Sequence, residues 1–247
     1  MGAIEQYYEA LRQIGILDTN FDTNGERNFL LQYLSGFEGP VVFDVGAHHG
    51  EYSLAVKNIC SSAKIYAFEP HPITFQTLVD NSKGTGMRVF EYGLGSENTE
   101  SRIFDYVNQD GSQHASIYRE IIEVIHRGKA VSHNIRLRRL DDLVVELGIH
   151  KINLLKIDTE GNEMSVLLGG ERSIRSGMVD VIQFEFNEMN VITKTFFKDF
   201  FDFLPEYDFY RLSVNGPIHL REYIPTFCEI FAYQNIVCVK KVQAGIS

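Results

Sequence analysis

"VVFDVGAHHGEYS", residues 41–53, decides the fold. Its first five residues form a strand-like apolar run interrupted by one acid, Asp44, and two glycines, Gly46 and Gly50, then bracket His48 and His49. An apolar strand passing through a glycine turn into a helix is the opening unit of an α/β sheet. In such sheets ligands bind beyond the carboxyl ends of the strands.

Two familiar phosphate loops fail here. Counted from Gly46, the dinucleotide pattern G-x-G-x-x-G asks for glycine where the chain has His48 and Glu51. The G-x-x-x-x-G-K-[ST] loop fails as well, since no Lys and Ser/Thr pair follows a second glycine at that spacing. These failures count against an NAD-dependent oxidoreductase. An acid beside the turn repels pyrophosphate and attracts a cation. The loop therefore suits a nucleoside with positive centres and no phosphate, such as S-adenosylmethionine. Glu69 ends the next strand, "KIYAF" (64–68), within "AFEPHP". A carboxylate there accepts from both ribose hydroxyls, and Pro70 and Pro72 fix the following turn.

Outward from this centre, strands alternate with helices. Helices are expected over 3–15, 26–37, 52–60 and 72–83, with a strand over 87–92. Ile4, Tyr7, Tyr8, Leu11 and Ile14 form the apolar stripe of the first helix. Further on, strands are expected over 102–107, 134–140, 152–157 and 179–186, with helices over 118–128, 141–149, 163–174 and 192–203. Two strand-like runs, 207–214 and 227–240, close the chain as an antiparallel edge hairpin. Near-continuous apolar strands imply a mostly parallel sheet covered on both faces. We read residues 1–247 as one α/β domain: N-terminal helices over 1–37, a Rossmann-like core over 41–240 and an insertion over 108–133.

Composition narrows the function. The chain has 247 residues, 44% of them hydrophobic, and a net charge of −10. That balance argues against a nucleic-acid partner. Three cysteines without a C-x-x-C pair give no disulfide framework or zinc site and suit a reducing, cytoplasmic setting. No apolar stretch reaches the roughly 18 residues of a membrane span, and the N-terminus has no signal-peptide pattern. The two N-terminal helices offer surfaces on which an oligomer could form.

"FDVGAHHGEYS", "FEPHP" and "LLKIDTEGNEMSVLLGG", with "LRRLDDL" and "VIQFEF", resemble the FkbM-type methyltransferases from about Val41 onward. The resemblance implies a class I methyltransferase sheet of seven strands with the last antiparallel. It also implies S-adenosylmethionine as cofactor, and O-methylation of sugars or natural products. It assigns Asp44, Gly46, His48, Gly50 and Ser53 to the first cofactor loop, Glu69 and Pro70 to the ribose, and Gly93, Leu94 and Ser96 to the adenine side. His48 stands where the family usually has Asn. Asp158 and Glu160 match the family's paired acids.

Methyl transfer to an alcohol needs alignment and a proton acceptor. Asp158 is the first candidate for base or cofactor-orienting acid, Glu160 the second, and His49 a third. Asp158, Glu185 and Asn187 also form an oxygen set that suits a hard cation, but no metal is assigned, and Asn187 is placed with the acceptor. Arg136 and Arg138 share one face of a strand within a basic island. They are expected to meet the acceptor, as arginine forks do with phosphate. Tyr207 and Tyr210 are candidates for a sugar-lined wall. The leading acceptor is a hydroxyl of a glycan precursor or small metabolite, with phosphorylated or nucleotide-linked forms admitted. The alternatives are N- or phosphate-directed methylation in surface-polysaccharide modification, or a non-catalytic binding module.

Overall fold

The computed structural model describes residues 2–241. The strands are β1 (Val41–Val45), β2 (Lys64–Phe68), β3 (Arg88–Phe90), β4 (Gly93–Leu94), β5 (Thr99–Tyr106), β6 (Ala130–Arg138), β7 (Ile152–Ile157), β8 (Val179–Phe186), β9 (Tyr207–Arg211), β10 (Ile218–Leu220) and β11 (Gln234–Lys240). Eight of them form one sheet in the order β10-β9-β11-β8-β7-β1-β2-β3. The pairs β3-β2, β2-β1, β1-β7 and β7-β8 are parallel, and β11 is antiparallel to both β8 and β9. This matches the mostly parallel sheet with an antiparallel last strand that the resemblance implies, extended by one strand.

Period-2 alternation explains how the sheet is buried on both sides. Phe43 and Val45 join the large apolar cluster on one face, while Val42 joins the cluster on the other. On the first face the helix Phe197–Phe203 buries Phe197, Phe200 and Phe203 at three-residue spacing. Phe200 stacks on Phe184 with ring centroids 4.3 Å apart. Each buried phenylalanine contributes about 1.5–3 kcal/mol. The second face is apolar along most of its length and turns polar at the carboxyl ends. Leu154 is followed on that face by Lys156 and Asp158, and Val181 by Gln183 and Glu185.

Several expectations change. The expected sheet of seven strands has eight, because "SVNGPIH" contributes β10 on the outer side of β9. The strand-like run 227–240 is a strand only from Gln234, since Pro225–Cys228 form a short helix. β11 lies inside the sheet, between β8 and β9, so the edge hairpin is β9 with β10. The expected helix 163–174 is broken at Gly170, where a Cβ would come within 2.6 Å of Leu140. The expected helix 192–203 is likewise two helices, Met189–Thr193 and Phe197–Phe203. Within the insertion, 118–128 holds a single π-helical turn, Ile121–Ile125. The strand expected at 134–140 runs over Ala130–Arg138 and forms a second sheet in the order β4-β6-β5. In the first helix Leu11 is buried, but Ile4, Tyr7 and Tyr8 are exposed.

Gly46 has φ +82°, and a Cβ there would lie 1.7 Å from the Asp158 carbonyl oxygen. The ends of β1 and β7 are thus held at backbone contact. Gly46→Ala is expected to destabilise the protein by about 3 kcal/mol or more, as overlap adds to left-handed strain. Urea unfolding would measure this, and an unchanged midpoint would contradict the close approach.

Candidate functional site

A pocket of about 650 Å³ opens at the carboxyl ends of β1, β2, β7 and β8. Its size is that of a cofactor site. Asp44 is buried at its floor and accepts from the Ser53 hydroxyl at 2.6 Å. Ser53 lies on the helix Glu51–Ile59, which starts after Gly50 in a left-handed conformation. Burial is the largest influence on Asp44 and pushes its pKa up to about 6, although Ser53 and Lys156 pull it down. Glu69 ends β2 with both carboxylate oxygens engaged. The His48 N–H donates to Oε2 at 2.8 Å and the His71 N–H to Oε1 at 2.8 Å. Two backbone donors fix the plane of that carboxylate and leave further lone pairs for hydroxyl donors. Burial still raises the Glu69 pKa.

The opposite half of the pocket is organised by Lys156. Its side chain is 3% exposed, with Nζ 3.1 Å from Asp158 Oδ2 and 3.8 Å from Glu185 Oε1. It also lies 5.6 Å from the centre of the Tyr52 ring. Burial opposes its charge, but Asp158, Glu185 and Glu26 outweigh that and hold the ammonium above its usual range. Burial, then Asp158, drives Glu185 well above the ordinary carboxylate range. Glu26, from the helix Glu26–Leu34, accepts from Asn24 Nδ2 at 2.7 Å and Gln183 Nε2 at 2.6 Å. The Tyr52 hydroxyl donates to Gln183 Oε1 at 2.7 Å. Lys156 thus supplies the positive charge that Asp158 and Glu185 face. Asn187, the third member of that oxygen set, lines the pocket but accepts from the Met189 N–H.

Asp158 is 35% exposed on its side chain and so reaches open pocket. Glu160 is different. Its backbone is left-handed, with φ +51°. Its Oε1 lies 3.9 Å from His114 Nδ1, and its Oε2 is buried without a hydrogen-bond partner. Burial, then Asp158, pushes Glu160 well above the ordinary carboxylate range. The next helix starts at Glu163, where it was expected, so Glu160 stands in the turn before it. Glu163 Oε1 takes the turn's donors: the Thr159 N–H, the Thr159 hydroxyl and the Gly161 N–H.

Asp44, Gly46, His48, Glu69, Pro70, Gly93, Leu94, Asp158, Glu160 and Asn187 line this one pocket. Others expected there do not. Gly50 and Ser53 act from behind it: a Cβ on Gly50 would meet Leu78 at 2.7 Å, and Ser53 is fully buried. Ser96 is exposed, and its N–H donates to Ser165 Oγ. His49 stacks on His48 with its ring 3.5 Å from exposed Glu51, outside the pocket lining. Arg136 and Arg138 also lie outside the lining. Ile135 and Leu137 are the buried face of β6; Arg136 is exposed, and Arg138 pairs with Glu146 at 2.7 Å. Tyr207 is buried against the Val179 carbonyl, and Tyr210 stacks on His219. Lys156 and Glu26 are the residues that sequence reasoning missed. For Lys156 the signal was its place two residues from Asp158 on one strand face. Glu26 had none, since its partner Gln183 is 157 positions away.

Two outcomes follow from these charges. Lys156→Met leaves the surrounding carboxylates uncompensated and is expected to destabilise the fold by about 3–5 kcal/mol, read from urea midpoints at neutral pH. For Asp44, the folded value of about 6 exceeds the ordinary 3.8, so protonation favours the folded chain. Its ionisation cost is absent below about pH 4, grows as pH rises and is complete above about pH 6, at roughly 3 kcal/mol. Asp44→Asn is therefore expected to be more stable than the parent at pH 7.5 and no more stable at pH 4. An equal difference at both would refute the burial cost.

A family model described as the methyltransferase FkbM domain matches residues 44–210. Methyltransferase sdnD of Sordaria araneosa is 31% identical over 157 residues, covering 53% of this chain and 60% of that protein. The hexuronic acid methyltransferase AglP of Haloferax volcanii is 30% identical over 159 residues, covering 63% of this chain and 60% of its own. The 2-O-methyltransferase NoeI of Sinorhizobium fredii is 27% identical over 151 residues, covering 55% and 59%. The matches thus span about 60% of the length of each of these relatives. No helix among the described residues is long and apolar enough to cross a membrane. With the sheet order and the pocket at its carboxyl edge, the matched domain shows that the chain belongs to the FkbM methyltransferase family.

Proposed function

We propose that the chain transfers a methyl group from S-adenosylmethionine to a hydroxyl of a sugar, a glycan precursor or a small metabolite. The observation that carries this reading is the convergence of Asp44, Glu69 and Asp158, from three neighbouring strand ends, on one pocket. The residues present suit that cofactor. Glu69, fixed by two amides, suits a ribose diol, and Asp44 suits a positive centre. Among the described residues Lys156 is the one lysine or arginine in the pocket lining, and carboxylates already engage it. That charge pattern favours a cationic nucleoside over a nucleotide. When bound, the cofactor supplies a methyl group on a sulfonium, an excellent leaving group.

The chain's own residues then align the acceptor and take its proton. Asp158 is the better base of the paired acids: it is open to the pocket and held by Lys156 at one oxygen. Glu160, whose pKa burial raises and whose Oε2 has no partner, suits hydrogen-bond donation to an acceptor oxygen. The arginines once expected to grip phosphate stand away from the pocket, so the phosphorylated and nucleotide-linked acceptors and the phosphate-directed alternative lose their support. The name of one relative, a hexuronic acid methyltransferase, favours a sugar acceptor, and that of another, a 2-O-methyltransferase, favours transfer to oxygen.

Calorimetry should show S-adenosylmethionine and its demethylated product binding, and NAD not binding. Incubation with methyl-labelled cofactor and an extract of sugar precursors should then label a product. Asp158→Asn is expected to cut that turnover by about 10²–10⁴-fold with cofactor affinity little changed. Full turnover in that variant would remove Asp158 as base.

A further inference from the structure

Two histidines connect the insertion to the ribose acid, and each does so in the same way. The backbone N–H of His48 and that of His71 each hold one oxygen of Glu69. Their rings reach elsewhere. His48 Nε2 lies 3.4 Å from the Gly111 carbonyl, and His71 Nε2 lies 3.0 Å from Asp110 Oδ1. His133, arriving on β6, closes on the same carboxylate with Nε2 2.9 Å from both oxygens. Buried Asp105 sets the turn that carries Asp110, accepting from the Gly111 N–H and the Ser112 N–H at 2.7 Å each. Ser112, Gln113 and His114, just beyond, line the pocket.

We propose that Asp110 is a positioning residue for cofactor binding: gripped by His71 and His133, it fastens the acceptor-side loop onto the two loops whose amides hold Glu69. Ribose recognition and closure of the acceptor side are thereby coupled. This rests on the pocket being the S-adenosylmethionine site. Without Asp110, the fully buried His71 ring loses the acceptor for its Nε2–H, since the nearest other carboxylate oxygen, Asp105 Oδ2, is 3.6 Å away. A buried donor left unpaired is costly, so the ring shifts, and the amide of the same residue moves off Glu69.

His71, Asp110 and His133 offer ligand atoms within 4.8 Å of one another, a spacing that a divalent cation also accepts. The second nitrogen of His71 favours the hydrogen-bonded form. Nδ1 accepts the Ile73 N–H at 3.3 Å, which puts the ring proton on Nε2, facing Asp110. A metal-bound Nε2 would need the proton on Nδ1, with an acceptor beside it.

The test compares S-adenosylhomocysteine with its 2′,3′-dideoxy analogue by calorimetry, in the parent and in Asp110→Ala. If Asp110 acts through Glu69, the variant should bind S-adenosylhomocysteine about tenfold more weakly, while its affinity for the dideoxy analogue, which lacks the diol, stays within about twofold. Equal losses for both ligands would reduce Asp110 to a general structural role and overturn the proposal. So would undiminished binding of S-adenosylhomocysteine. Where Asp110→Ala does not fold, Asp110→Asn, which keeps one acceptor oxygen, is read the same way with a smaller loss. One equivalent of zinc bound by the parent and lost in His133→Ala would also overturn it, making the cluster a metal site. A parent protein that binds no S-adenosylhomocysteine refutes the proposed function instead.

Discussion

Lys156 lies between Asp158 and Glu185, buried to 3% exposure, with Glu26 near enough to help keep it charged. Burying an ammonium costs several kcal/mol, and only close, well-placed carboxylates offset it. Buried Glu185 has the same need in reverse. Neither partner is stable at this depth alone, so the strand ends that bring them together are constrained as a group. Register supplies that constraint: Lys156 faces Asp44 on β1 and Gln183 on β8. A one-residue slip of β7 would send Lys156 into the apolar cluster on the other face.

The two halves of the pocket are built differently. The β1–β2 side relies on main chain: amides aimed at Glu69, and a glycine turn pressed against the Asp158 carbonyl. Main-chain donors cannot change rotamer, which suits the cofactor side of the proposed reaction. The β7–β8 side relies on side chains, together with an insertion that supplies Gln113, His114 and His126. Loops of that kind vary without disturbing the sheet, which suits the acceptor side of the proposed reaction. Lys156 belongs to the second half, yet Asp44 in the first half feels its charge.

Strand ends were legible because an acid stands at or beside the end of each apolar run: Asp44 one residue before it, Glu69 and Asp158 just after it. Alternation also placed Arg136 and Arg138 on a common face, but it could not say which face of β6 meets the pocket. Leu137, on the opposite face, lines it. Glycines were legible as obligatory and not for their reason: Gly46 and Gly50 make room for protein atoms, the Asp158 carbonyl and Leu78. What stayed hidden depends on long-range contact. β10 is three residues long, too short to stand out from a loop. The Asp110 cluster joins positions 71, 110 and 133, and no local spacing marks it.

The helix Glu26–Leu34 precedes the segment matched by the family model, and yet Glu26 stands in the pocket wall and holds Gln183. Tyr233, beyond the other end of that segment, lines the same pocket. In this chain the matched segment is therefore an open vessel, completed from both flanks. A change in either flank alters the pocket wall directly. Replacing the first forty residues would take Glu26 out of that wall while the strands of the matched segment stayed in place.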